Sequence, residues 1–181
     1  ALLSQKLPWS VLLSSAVAAL LGGLWTSTGQ RLAAAPTDQT EKNTRKQVRM
    51  LDDLYKTTVV FITDQYVDED SDMPAGTAAK KIFEAMKKKG WHDVRLIDGT
   101  NKPIEEENFP RDGFEKRALK ELQNGKDYID EVVTIDGKRR LLAATPIPVV
   151  SEKCIMCHEH YKEYQKEGKI IGMLGYSVPI D

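Results

Sequence analysis

Both cysteines of this 181-residue chain lie within one pentapeptide, CIMCH, at residues 154–158. One short segment therefore uses both, and the chain cannot be folded around a network of disulfides. Cysteines at this spacing serve three kinds of chemistry, which are covalent attachment of a cofactor, metal binding and thiol redox reactions. The residues around them favour one of the three.

The histidine that directly follows the second cysteine completes the motif C-x-x-C-H, the attachment signature of c-type haem. Two thioethers at this spacing reach two vinyl groups at one edge of a porphyrin, and the histidine then places its imidazole beneath the iron. We therefore expect one haem c, covalently attached through Cys154 and Cys157, with His158 as the proximal axial ligand. His160 follows too closely to reach the opposite face and is interpreted as a neighbour of the site.

Two other uses of the cysteines fit the sequence less well. A structural zinc site takes about four protein ligands, and only His160 and the distant His92 could complete it. A redox dithiol is expected at the start of a helix in a βαβ unit, and the sequence predicts no such unit.

The motif leaves the other face of the iron open. Met50 borders the apolar face of a predicted helix, and His92 lies at the entry to a predicted strand, so each is a candidate distal ligand. An iron without a second protein ligand is the third possibility. The choice matters because the axial ligand sets the redox potential, and an open site permits gas binding.

The N-terminal segment is apolar from residue 7 to residue 25, with Trp9 and Trp25 towards its two ends. We interpret residues 1–28 as an uncleaved transmembrane anchor, since the length approaches that of a bilayer span and tryptophans mark interfaces. A cleaved secretory signal and a buried soluble helix are the alternatives. The anchor or the signal would place the remaining chain in the periplasm or an equivalent lumenal space.

The pattern after this segment predicts a tether at residues 29–41 and one α+β domain at residues 42–181. Apolar residues at helical spacing predict a first helix from Lys42 to about Val67, with Val48, Leu54, Tyr55 and Phe61 on one apolar face. Another helix follows, then a strand at residues 93–98, a third helix, and an antiparallel sheet interrupted by the helical cysteine segment.

Three local signals set boundaries within this domain. Thr77 is the predicted cap of the second helix, and Asp112 is the predicted cap of the third, with Glu115 at capping-box spacing. Asp136 and Gly137 separate two β-rich runs and predict a tight hairpin.

Five segments in this order resemble the PAS-like c-type haem domain family, which occurs in bacterial sensors and cyanobacterial haem proteins. They read VRLIDGTNKP, ENFPRDGFEKRALKEL, VTIDGKRRLLAATPI, CIMCH and IIGMLGYSVP. The resemblance implies a PAS-like antiparallel sheet flanked by helices, with haem held covalently near the sheet. It also implies a distal ligand from the N-terminal helix, which can be a cysteine in relatives. This chain has no third cysteine, so the resemblance favours Met50, the nearest sulfur, over His92.

The formal net charge of −1 gives no indication of nucleic-acid binding. Arginine side chains match carboxylates well, and the candidate partners for the haem propionates are Arg95, Arg111 and Arg139. We expect a membrane-anchored electron-transfer protein rather than an enzyme, since no acid–base constellation accompanies the motif. Its partners would be subunits of a membrane redox complex or a soluble electron carrier. A redox or gas sensor that signals through a partner, and an accessory structural subunit, are the alternatives.

Overall fold

The computed structural model describes residues 36–67, 73–111 and 113–180. These residues belong to one compact unit, Ala34–Asp181, and the anchor predicted at residues 1–28 lies outside them. The elements in chain order are α1 (Pro36–Tyr66), α2 (Ala75–Lys88), β1 (Asp93–Asp98), a short 3-10 helix (Glu106–Asn108), α3 (Phe114–Gln123), β2 (Ile129–Ile135), β3 (Lys138–Pro148), α4 (Glu152–Cys157), α5 (Tyr161–Lys166) and β4 (Ile170–Pro179).

The four strands form one antiparallel sheet in the order β1-β4-β3-β2. β4 is the last strand in sequence but lies between β1 and β3, where Leu174 pairs with Leu96 on one side and with Thr145 on the other. The predicted α+β class, with helices flanking an antiparallel sheet, is confirmed.

Helices cover both faces of this sheet. α1 and α2 pack on the face that carries Leu174 and Tyr176, whereas α3 packs on the face that carries Ile97 and Met173. The split follows from the strand period of two, since neighbouring residues of β4 point to opposite faces. β4 is apolar on both faces because both are buried.

The hairpin between β2 and β3 forms where the sequence predicted it. Asp136 has φ 51° and Gly137 has φ 74°. Two successive residues with positive φ are what a type I′ turn requires, and Asp-Gly adopts this conformation at low cost.

The helix starts differ from the predicted ones. α1 begins at Pro36, inside the segment predicted as a tether. Thr77 does not cap α2, and that prediction was wrong: the N-cap residue is Pro74, with no side-chain cap hydrogen bond. α3 follows Gly113 (φ 74°) as its N-cap, and residue 112 lies outside the described residues.

Among the residues that the structure describes, no helix combines the length and the apolar character needed to cross a bilayer. α1 is long enough at 31 residues, but charged residues occur along its whole length.

β1 and β4 approach each other closely at one end of the sheet. A Cβ atom on Gly172 would lie 2.4 Å from the carbonyl oxygen of Ile97, which no real side chain tolerates. Gly172 therefore permits the tight pairing that ends the sheet beside the cysteine segment.

Candidate functional site

The cysteine motif lies on α4, between β3 and α5. The side chain of Ser151 caps the helix by accepting a hydrogen bond from the backbone N–H of Lys153 at 3.3 Å. The N–H of His158 donates to the carbonyl oxygen of Cys154 at 3.1 Å and closes the last turn. This turn leaves Cys154 half-buried and Cys157 exposed.

The imidazole of His158 is held by α5. Its ring stacks on the ring of Tyr161, with centroids 4.5 Å apart and an interplanar angle of 10°. Burial, assisted by His160, lowers the pKa of His158, and Asp98 opposes the shift. Burial raises the pKa of Tyr161 to about 12. At neutral pH the imidazole of His158 is therefore uncharged, which is the form that binds metals.

Two adjoining cavities lie beside this segment. The first, named here the α1-side cavity, has a volume of about 160 Å³ and includes Cys154 in its wall. The second, the loop-side cavity, has a volume of about 270 Å³ and includes His158 and Tyr161. Their walls share four residues, which are Gly76, Leu96, Ile147 and Ile171. We refer to the two together as the cleft.

The wall that α1 contributes is mostly apolar. Val59 and Val60 line it, and the hydroxyl of Thr63 is occupied by a 2.7 Å hydrogen bond to the carbonyl oxygen of Val59. Among the described residues that line the α1-side cavity, Lys56 carries the one amine. The α1-side cavity therefore combines an apolar environment with very few groups able to bind a metal.

Lys56 is tied to a carboxylate on the sheet side of α1. Its Nζ atom donates to Oδ2 of Asp52 at 2.9 Å. Oδ1 of Asp52 accepts from the hydroxyl of Tyr176 at 2.8 Å and from that of Thr145 at 2.5 Å. Burial, with the charge of Asp52, raises the pKa of Tyr176, so its phenol remains a donor. α1, β3 and β4 therefore meet at one partly buried carboxylate.

The two predicted distal ligands lie elsewhere. The side chain of Met50 is on the outer face of α1, 63 % exposed, and does not line the cleft. His92 is 6 % exposed, and its Nε2 lies 2.7 Å from the hydroxyl of Tyr55. It does not line the cleft either. The structure brings neither residue to His158.

The three predicted propionate partners also lie away from the cleft. Arg95 pairs with Glu115, and Arg139 pairs with Glu41. Arg111 donates its backbone N–H to Glu115 at 2.7 Å. Within the part of the chain that the structure describes, none of the three arginines lines either cavity of the cleft.

Sequence reasoning missed two lysines that do line the cleft. Lys80 lies in the wall of the loop-side cavity and pairs with Glu105 and Glu107. Lys56 lies in the wall of the α1-side cavity. The sequence does contain a pattern that could have indicated Lys56. Asp52 and Lys56 are oppositely charged, lie four residues apart, and share a helix face with Tyr55.

The fold and the site define an α+β domain with a single C-x-x-C-H segment beside a two-part cleft at the end of its sheet. The Tll0287-like family model matches residues 29–179, and the chain belongs to this family. The family resemblance noted in the sequence is confirmed.

A comparison with solved structures found the crystal structure of the cyanobacterial heme-protein Tll0287. It is 15 % identical in sequence, covers 76 % of this chain and 95 % of that chain, and superposes with a TM-score of 0.48. The search of curated proteins found no match.

Proposed function

We propose that this chain is a mono-haem c-type electron-transfer domain, with its haem attached through Cys154 and Cys157 and ligated by His158. One observation carries the proposal: the attachment segment places Cys154 in the wall of the apolar α1-side cavity and His158 in the wall of the cavity that adjoins it. Membership of the Tll0287-like family supports it.

The donor set suits a haem better than a bare metal ion. A haem iron brings four porphyrin nitrogens with it, so one or two protein ligands complete its coordination. Over the described ranges, no three His, Cys, Asp or Glu side chains gather in the way that a metal ion held by protein alone requires. His158, uncharged and oriented by Tyr161, is a suitable single axial ligand.

The chain's own residues would bind, orient and shield the group. Cys154 and Cys157 provide the sulfur atoms for two thioethers, and the stack with Tyr161 sets the plane of the His158 ring. Leu96, Ile147 and Ile171 would exclude water from the cleft. The haem, when bound, supplies one-electron exchange at its iron.

Exposure at the attachment edge supports an electron carrier rather than an enzyme. Cys157 is exposed and the neighbouring Met156 is 42 % exposed. A haem attached there would have one edge close to the protein surface, where an electron-transfer partner can approach it. We propose that the partner is a subunit of a membrane redox complex or a soluble electron carrier. The predicted anchor at residues 1–28 and the export that thioether attachment implies support a periplasmic or lumenal location.

A redox or gas sensor is the second candidate function. The apolar α1-side cavity favours it, because a small diatomic molecule could enter there if the iron had no second protein ligand.

Haem attachment is tested by producing the full chain together with a cytochrome c maturation system. We expect one haem per chain that survives denaturing electrophoresis, and a reversible one-electron redox titration. The double variant Cys154→Ala/Cys157→Ala should carry no haem under denaturing conditions, whereas Met156→Ala should retain it. A wild-type chain without covalent haem would refute the proposal.

A further inference from the structure

We propose that Lys56, rather than Met50 or His92, provides the distal ligand to the iron, an inference that rests on the proposed haem site. α1 forms the wall of the cleft that adjoins the cavity lined by His158. A donor on α1 therefore faces the cleft that would hold a group attached to Cys154 and ligated by His158.

The other donors on this wall are already committed. The hydroxyl of Tyr55 lies 2.7 Å from His92, and that of Thr63 donates to a backbone carbonyl. Ser151 donates to Asp64 at 2.9 Å and also caps α4. Lys56 is the one amine among the described residues of this wall, and its side chain is 30 % exposed. An amine on a flexible four-carbon chain can reach a position that a short side chain cannot.

The pairing of Lys56 with Asp52 does not prevent this movement. Asp52 holds the amine through Oδ2, while Tyr176 and Thr145 both donate to Oδ1. When Lys56 leaves, the carboxylate keeps two hydrogen bonds, so its oxygen atoms are not left without a donor. Only the neutral amine can bind iron, and the proton that it loses passes to solvent at the exposed side of the chain.

This arrangement also assigns a role to Asp52. It lies one helical turn before Lys56 and holds the amine beside the cavity wall before any ligand is bound. Asp52 is therefore a positioning residue, and it provides an alternative partner that competes with the iron for the amine. The wild-type protein is expected to be six-coordinate and low-spin, with little binding of carbon monoxide in the ferrous form.

The experiment compares the visible and electron paramagnetic resonance spectra of the haem-loaded full chain with those of three variants. Lys56→Arg keeps the positive charge beside Asp52 but cannot coordinate iron, and Lys56→Ala removes the side chain. Both should lose the six-coordinate low-spin spectrum and gain carbon monoxide binding in the ferrous form. Met50→Ala is the matched control from the outer face of α1, and its spectrum should equal that of the wild type.

Two results would overturn the assignment of Lys56: a five-coordinate wild-type protein, or a Lys56→Arg spectrum identical to that of the wild type. Either can occur while every variant carries one covalent haem, and in that case the proposed function stands. A wild-type chain without covalent haem would instead refute the proposed function and this inference with it. Retained far-ultraviolet circular dichroism in Lys56→Arg shows that a spectral change does not come from unfolding.

Discussion

The hydroxyl oxygen of Tyr55 lies 2.7 Å from Nε2 of His92 and joins the middle of α1 to the residue that precedes β1. His92 is 6 % exposed, and its ring also packs beside that of Tyr55, with centroids 5.9 Å apart. The contact ties the helix that forms one wall of the cleft to the sheet. It also places a titratable ring in the interior.

This buried histidine should make stability depend on pH. Burial lowers the pKa of His92 in the folded state, with Asp93 opposing. The unfolded chain therefore binds a proton more readily than the folded one. The free energy of unfolding should be retained above about pH 6.5 and fall as the pH drops below that value, levelling only below the folded pKa. Urea unfolding of the haem-free protein between about pH 8 and about pH 5 measures this.

The variant His92→Gln should make that pH dependence shallower while lowering stability at neutral pH. His158→Gln is the comparison variant and should remove the remaining part of the slope, because burial lowers the pKa of His158 as well. An equally steep loss of stability in His92→Gln would show that another group causes it.

The carboxylate of Asp52 should be worth more to stability than any one of its partners. Asp52→Ala leaves the hydroxyls of Tyr176 and Thr145 without their acceptor, and we expect a loss of roughly 3 kcal/mol in the free energy of unfolding. Tyr176→Phe removes one of three donors and should cost about 1 kcal/mol. Asp53→Ala, at the exposed neighbouring position, should change stability by less than about 0.5 kcal/mol. Chemical denaturation of the haem-free chain measures all three, and equal losses for Asp52→Ala and Asp53→Ala would contradict the role of the carboxylate.

Two glycines should respond in opposite ways to alanine. Gly172→Ala would place a methyl group 2.4 Å from the carbonyl oxygen of Ile97, so β1 and β4 would have to separate. We expect a loss of more than about 2 kcal/mol in the free energy of unfolding. Gly76→Ala meets only the side chain of Leu96, at 3.7 Å, and removes a glycine from a helix, so it should be neutral or stabilise by up to about 1 kcal/mol. Thermal unfolding distinguishes the two, and similar melting temperatures would refute the close approach.

A larger side chain in the wall that the two cavities share should reduce haem attachment without unfolding the protein. Gly76 lines both cavities, so Gly76→Leu would occupy space that the haem needs. We expect a several-fold lower ratio of haem to protein after maturation. The measurement is the pyridine haemochrome spectrum, with circular dichroism to verify folding. Ala78→Leu lies on the same helix away from the cavity walls and should retain the wild-type ratio. Full haem loading of Gly76→Leu would show that the haem does not lie in these cavities.

Local patterns in the sequence predicted the hairpin at Asp136 and Gly137, the strand at residues 93–98 and the helical segment that carries the cysteines. Each depends on residues close together in the chain. The apolar face predicted for α1 was too broad: Val48 and Tyr55 are buried, but Leu54 and Phe61 are 58 % and 59 % exposed. Periodicity identifies an apolar side, and only packing decides which part of it the sheet covers.

The sequence by itself determined the chemistry of the attachment segment, because C-x-x-C-H places two thiols and an imidazole within five residues whatever the fold. It also determined the α+β class and the family. The tertiary structure alone decided which distant residues surround that segment. Lys56 and Cys154 line one cavity, and the proximity of residues so far apart in the chain leaves no periodic pattern in the sequence. Met50 also carries a sulfur atom and lies on the same helix. The helix face that buries Tyr55 is not the face that carries Met50, so Met50 lies towards solvent.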